Sequence, residues 1–201
     1  MIFRPHTSQR KFCFLSSNCF YSLVYLILCR VNWCPSLRDK NDALQKIRSI
    51  ADYQLGKGVG NVLFPKNVSI AFSRRTGRIR HVYFNGKLLA TLRPTDGIFS
   101  LTIEGAKRLV KGVKPLRLWV TVQKDVEPFV AEGKSVFAKH VADADIEIRP
   151  QEEVVVIGEK NKVLAVGRAV LTGREMKAFK HGVAVKVRRG VLEEVKNLKA
   201  V

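Results

Sequence analysis

From residue 39 onward the hydrophobic and polar positions follow two periods, and the switches between them mark out the elements. Apolar residues at Ala43, Leu44, Ile47, Ile50, Ala51 and Leu55 recur every three or four positions, which predicts a helix over 39–55. Asn41 or Asp42 is placed to cap it, and Gly56, Gly58 and Gly60 end it. A period of two then takes over. Segments 68–73, 79–84, 88–93 and 98–103 read as strands, separated by Thr76-Gly77, Asn85-Gly86 and Asp96-Gly97. X-Gly turns at near-regular spacing between apolar runs predict an antiparallel meander. A short helix over 104–111 closes this unit, and 111–115 (KGVKP) supplies a boundary.

A second unit starts with a strand over 116–122 and a short helix over 127–132 that stops at Gly133. Strand patterns recur at 135–141, 153–157, 163–171 and 183–188, with a turn at 158–162 and a helical piece over 174–180. Five or six short strands with one helix wedged between the first two predict a small mixed barrel, which closes its own sheet edges. The expected organisation is an N-terminal extension over 1–38, a first α+β domain over 39–114 and a second domain over 115–201.

Charge alters this picture. The chain carries 36 Lys and Arg against 17 Asp and Glu, a formal net charge of +19. Residues 1–38 contribute +5 and the rest +14, so the main body is basic in its own right. Such a balance predicts attraction to polyanions, nucleic acid before an anionic membrane surface. The body contains no cysteine, which excludes a disulfide framework there. Its wealth of Lys, Arg, Glu and Val with little Gln resembles proteins from very hot environments.

The first 38 residues differ from everything after them. Residues 12–29 hold no charge and follow Arg4, Arg10 and Lys11, close to the length of a membrane anchor, although Ser16, Ser17, Asn18 and Ser22 dilute the first half. Three readings stay open: translated upstream sequence ahead of a true start, a membrane anchor, or a docked extension. Cys13, Cys19, Cys29 and Cys34 fit no compact zinc pattern. Without an inserted anchor the expected location is cytoplasmic.

At 129–141 (FVAEGKSVFAKHV) the sequence resembles a PUA domain, the module shared by pseudouridine synthases and archaeosine transglycosylases. Segments 154–157, 165–169 (AVGRA), 173–176 (GREM) and 182–188 (GVAVKVR) follow in the order found in the C-terminal portion of archaeal tRNA-guanine transglycosylase. Upstream, 51–56 (ADYQLG), 76–80 (TGRIR), 92–97 (LRPTDG) and 102–109 (TIEGAKRL) resemble the domain that precedes PUA in that enzyme. The resemblance covers roughly 45–190. It implies an α+β fold in which a small helix-plus-antiparallel-meander domain is followed by a PUA-type mixed β-barrel. It also implies RNA binding. The family's catalytic aspartates and zinc site lie in a TIM barrel of roughly 250 residues, for which this sequence leaves no room, so the expectation is a non-catalytic protein without cofactor or metal.

In the family the RNA-facing groove lies beside the helix after the first PUA strand and the strand after that. Here it maps to Gly133, Lys134, Ser135, Val136, Phe137, Lys139 and His140. Gly133 permits a close backbone approach, Lys134 and Lys139 can neutralise phosphates, and Ser135 can bond phosphate or 2′-OH groups. Phe137 fits a core position as well as a groove one, and His140 an ordinary surface one. Arg168, Arg174, Lys177, Lys180, His181, Lys186, Arg188 and Arg189 form a second basic set interrupted only by Glu175. Arg74, Arg75, Arg78 and Arg80 crowd one turn, and their mutual repulsion favours a phosphate-contacting tip. A solvated basic face is the plain alternative for each set.

Three motif-like stretches carry no such chemistry. Gly133-Lys134-Ser135 ends like a phosphate-binding loop, but Pro128 stands where its first glycine belongs. Gly56–Gly60 follows a helix, where a dinucleotide fingerprint follows a strand. Asp143, Asp145 and Glu147 read as a loop entering a strand. The expected partner is structured RNA, tRNA first, held at its acceptor stem and 3′ end as the family resemblance implies. The alternatives are a subunit presenting RNA to a separate modifying enzyme and a ribosome-associated factor contacting rRNA or initiator tRNA.

Overall fold

The structure, a computed structural model, describes residues 40–193. Residues 12–29 and the four cysteines lie outside the described residues, and among those described no helix is long and apolar enough to cross a membrane.

Helix α1 (Lys40–Leu55) buries Ala43, Ile47, Ala51 and Leu55, one stripe at i, i+4 spacing. The three glycines predict an end to the helical region, but the chain turns there into a second helix, α2 (Val59–Leu63), with Gly60 inside it. A side chain at Gly60 would put its Cβ 2.4 Å from the Arg48 carbonyl oxygen. Glycine is present because α2 packs directly on the backbone of α1. The Gly60 N–H also donates to Asp52 Oδ1 at 2.6 Å.

Strands β1 (Ser69–Phe72), β2 (Ile79–Phe84), β3 (Lys87–Leu92) and β4 (Phe99–Leu101) form the antiparallel meander that the X-Gly turns predict. Helix α3 (Ile103–Gly112) follows at once, capped by Thr102, whose side-chain oxygen accepts from the Gly105 N–H at 3.3 Å. Val82, Leu89, Phe99 and Leu101 of the sheet, with Phe64, Ile103 and Leu109, are buried together.

The second sheet holds β5 (Trp119–Val122), β6 (Val136–Phe137), β7 (Val141–Ala144), β8 (Glu153–Ile157), β9 (Val163–Ala169) and β10 (Val183–Gly190) in the order β6-β10-β9-β8-β5-β7. The β5–β8 pair is parallel and the others are antiparallel. Every residue of β8 is buried, as is nearly all of β9, which explains their unbroken Val, Leu and Ala runs. Strands β6 and β7 occupy opposite ends of the order, yet only the three-residue turn Ala138–His140 separates them in the chain. The sheet therefore curls until its two edges nearly meet, giving a mixed barrel.

That turn corrects one expectation. A single strand over 135–141 becomes two strands with a 3₁₀ turn between them, because the chain changes partner there. Ala138 N–H bonds to the Gly182 carbonyl at 2.9 Å, whereas His140 carbonyl accepts from Gln123 N–H at 3.0 Å. Helices α4 (Glu127–Ala131) and α5 (Gly173–Ala178) cover the barrel, the latter closed by a Thr172–Glu175 capping box.

Candidate nucleic-acid interface

The segment from Gly133 to His140 leaves α4, pairs briefly with the start of β10 as β6, and turns into β7. Gly133 has φ +98°, and a Cβ there would lie 2.9 Å from Glu193 Oε2. A Cβ on Gly190 would in turn reach within 2.5 Å of the Gly133 nitrogen. The close approach at Gly133 is thus to the chain's own β10 end, which fixes where Lys134 begins. Gly133 itself stays partly exposed.

Pairing of Phe137 with Val183 sets this segment beside the stretch 179–182. Three phenylalanines flank the junction, with Phe129 52%, Phe137 47% and Phe179 48% exposed. Phe137 is therefore on the surface and not in the core. The Lys134 ammonium sits 4.8 Å from the Phe129 ring centre and 4.0 Å from Glu132, while Lys139, Lys180 and His181 have no carboxylate partner among the described residues. Ser135 and His140 are half-buried.

The second basic set divides. Lys186 of β10 stands opposite Arg168 of β9, which stands opposite Glu153 of β8, so the three share one sheet face. Arg168 also donates to Gln151 Oε1 at 3.1 Å. Arg188 is committed elsewhere. Its guanidinium is held by the fully buried Glu153 and by Ser100 and Leu101 of the first sheet, so it is a cross-sheet tie and not a free groove cation. Lys177 pairs with Asp143 and holds that carboxyl below its ordinary range, first through their hydrogen bond. Asp145 accepts the Leu118 and Glu147 N–H groups at 2.9 and 3.0 Å, and Glu147 pairs with Arg117. Each of the three acids thus has a structural task. Arg174, on α5, faces a separate cleft.

Arg74, Arg75, Arg78 and Arg80 are all exposed at the β1–β2 turn, with no carboxylate partner among the described residues. The β3–β4 loop is a structural twin of this one. Ser73 N–H to Arg78 carbonyl (2.8 Å) and Gly77 N–H to Ser73 carbonyl (2.8 Å) match Arg93 to Ile98 (3.0 Å) and Gly97 to Arg93 (3.0 Å). Meander topology puts both loops at the same end of the sheet. That adds Arg93, which sequence reasoning missed. Its Nη2 pairs with Asp96 at 3.0 Å while Nε and Nη1 are buried without a partner. The repeated T/D-G turn was the signal that could have found it.

Residues 45–115 match the family described as the patch-forming domain C2 of tRNA-guanine transglycosylase, and residues 119–191 match the PUA domain. The second domain, residues 119–191, is a PUA domain. This chain resembles the C-terminal portion of the archaeal enzyme: the tRNA-guanine(15) transglycosylase of Thermococcus kodakarensis is 46% identical over 153 residues, which is 76% of this chain and 26% of the relative. The chain spans about a quarter of the length of the curated relatives it matches. Among solved structures, a hypothetical protein from Pyrococcus horikoshii shares the fold at 23% identity and a TM-score of 0.62, covering 78% of this chain and 96% of that one. A conserved PUA domain protein from Thermoplasma acidophilum does so at 21% identity and a TM-score of 0.58, covering 80% and 95%.

Proposed function

We propose that this chain is a non-catalytic RNA-binding protein that holds structured RNA, tRNA first, along the PUA surface beside β6. The observation that carries this reading is the half-exposed trio Phe129, Phe137 and Phe179 set among Lys134, Lys139, Lys180 and His181. Exposed rings beside exposed lysines suit RNA better than duplex DNA. The rings stack on bases that are not already stacked, and the cations contact the phosphates on either side. An acceptor stem with its single-stranded 3′ end offers both features side by side.

The transglycosylase relatives act on tRNA, which supports tRNA as the target. The part of them that matches here is the C2 and PUA portion, which supports a role in holding RNA with the chemistry done elsewhere. Arg74, Arg75, Arg78 and Arg80 form a second basic surface that contacts phosphates without reading bases. Arg168 and Lys186, like charges directly opposite on one sheet face, extend the basic area of the barrel.

Retention of labelled tRNA on the full chain as salt rises tests the reading. Binding that weakens when the 3′ CCA is removed, and that exceeds binding to duplex DNA of equal charge, supports it. Equal retention of duplex DNA reduces it to general polyanion attraction.

A further inference from the structure

A cleft of about 800 Å³ opens between the C-terminal end of α1 and the β7–β8 loop, lined by residues that the RNA-binding surfaces above leave unused. Its volume lies within the range of roughly 300–1,000 Å³ usual for sites that enclose a small ligand. Tyr53 stands on one wall with 89% of its surface exposed, and Ile146 lines the cleft at 56%.

The charges in the cleft are unevenly matched. Glu147 is paired with Arg117, Glu153 with Arg188, and Glu152 accepts the Arg149 backbone N–H at 2.9 Å. Glu147 and Glu153 are therefore charge-paired, while Glu152 holds a backbone N–H and has no cationic partner among the described residues. The guanidinium groups of Arg149 and Arg174 have no carboxylate partner among the described residues, and both residues are exposed. The lining is thus an open aromatic ring and an apolar side chain with two guanidinium groups free of carboxylates and one carboxylate, Glu152, held by a backbone N–H.

The wall is also held in an uncommon backbone shape. Leu118 has φ +57° and Gln151 φ +71°, a region that such residues rarely adopt. Leu118 is kept there by its N–H to Asp145 Oδ2 (2.9 Å) and its carbonyl to the Val155 N–H (3.0 Å). Gln151 N–H is bonded to the Ala169 carbonyl at 2.9 Å. Conformations of this kind persist where surrounding contacts enforce them, and they gather at ligand sites.

We infer that this cleft is a second RNA site that takes one unpaired nucleotide, with its base on the ring of Tyr53 and its phosphate against Arg149 and Arg174. The inference rests on the RNA-binding reading but not on the groove beside β6. A base supplies the flat face that an exposed tyrosine stacks against, and a phosphate supplies the charge that the two arginines lack.

The test uses the full chain and a labelled single-stranded hexaribonucleotide. Tyr53→Ala is expected to weaken binding about tenfold, within the range for loss of one base–aromatic stack. Tyr53→Phe, which keeps the ring, should bind as the parent does. Arg149→Gln with Arg174→Gln should weaken binding and flatten its salt dependence. All three should melt with the parent, since an exposed ring and unpaired guanidinium groups contribute little to folding. Lys134→Glu with Lys139→Glu should lose tRNA while keeping the hexanucleotide. If that pair leaves tRNA binding intact, the groove reading fails and the cleft inference stands on the Tyr53 result. Parent chain that ignores the hexanucleotide, or Tyr53→Ala that binds it unchanged, overturns the inference.

Discussion

Arg188 of β10 and Glu153 of β8 form a two-pronged ion pair in which Nη1 lies 2.9 Å from Oε2 and Nη2 meets Oε1. The same two groups satisfy both backbone positions of Leu101 on the edge of the first sheet. Glu153 Oε1 accepts the Leu101 N–H at 3.1 Å, and Arg188 Nη2 donates to the Leu101 carbonyl at 2.6 Å. Arg188 Nη1 reaches Ser100 Oγ at 3.1 Å as well. Strand β4 is thus tied to the barrel through a fully buried carboxylate.

Removing one partner of such a pair strands the other. Arg188→Ala should cost about 3 kcal/mol, the low end of the range for breaking a buried pair, because its side chain is 35% exposed. Arg188→Met combined with Glu153→Leu should recover part of that loss. Denaturant unfolding of the three proteins measures it, and a double variant no better than Arg188→Ala would contradict the account.

Gly60→Ala tests the contact of α1 with α2. A methyl group 2.4 Å from the Arg48 carbonyl forces the helices apart, with an expected loss of about 1–3 kcal/mol. Gly58→Ala, where nothing lies within 4 Å, meets no neighbour and is destabilising only through its φ of +84°. Thermal melts that show no crowding penalty for Gly60→Ala would place the two helices further apart.

Both cases show what the sequence makes legible. The meander is readable because each hairpin is specified by its own turn residues, Thr76-Gly77, Asn85-Gly86 and Asp96-Gly97, and local chemistry fixes them. Gly60 has the same local look but a different cause, since its neighbour Arg48 lies one helix away. The 3₁₀ turn Ala138–His140 is unreadable for the same reason: it exists because Ala138 and His140 bond to different distant strands. Arg188 looks like its basic neighbours, and only the fold brings Glu153 to it. The groove lysines are legible as a cluster, whereas the exposure of Phe137 depends on how β6 pairs.

Glu104 gives a pH prediction. Its carboxyl is held below the ordinary value of 4.5, first by the Lys107 hydrogen bond, opposed by burial and aided by Lys87. A folded-state value below the unfolded one stabilises the fold fully above the ordinary range, and the gain is lost as pH falls through the lowered value. The parent should therefore lose melting temperature as pH drops below 4.5, and Glu104→Gln should show a shallower decline, converging with the parent at the acid end. Parallel curves would remove the ion pairs from the account.

The arginine turn should act on affinity without affecting selectivity. Changing Arg74, Arg75 and Arg78 to Gln should lower tRNA affinity and reduce the log–log salt slope by about 0.7–0.9 for each phosphate that is no longer neutralised. The preference for RNA carrying its 3′ end should persist. A slope that does not change would make this end of the sheet a solvated face.

The most direct measurement is tRNA retention by the Lys134→Glu, Lys139→Glu double variant alongside its melting temperature. Both side chains are exposed, so the account predicts that retention is lost while melting stays within a degree or two of the parent, in line with surface changes of about 0.5 kcal/mol or less. Undiminished retention by a folded double variant would contradict the claim that the surface beside β6 holds RNA.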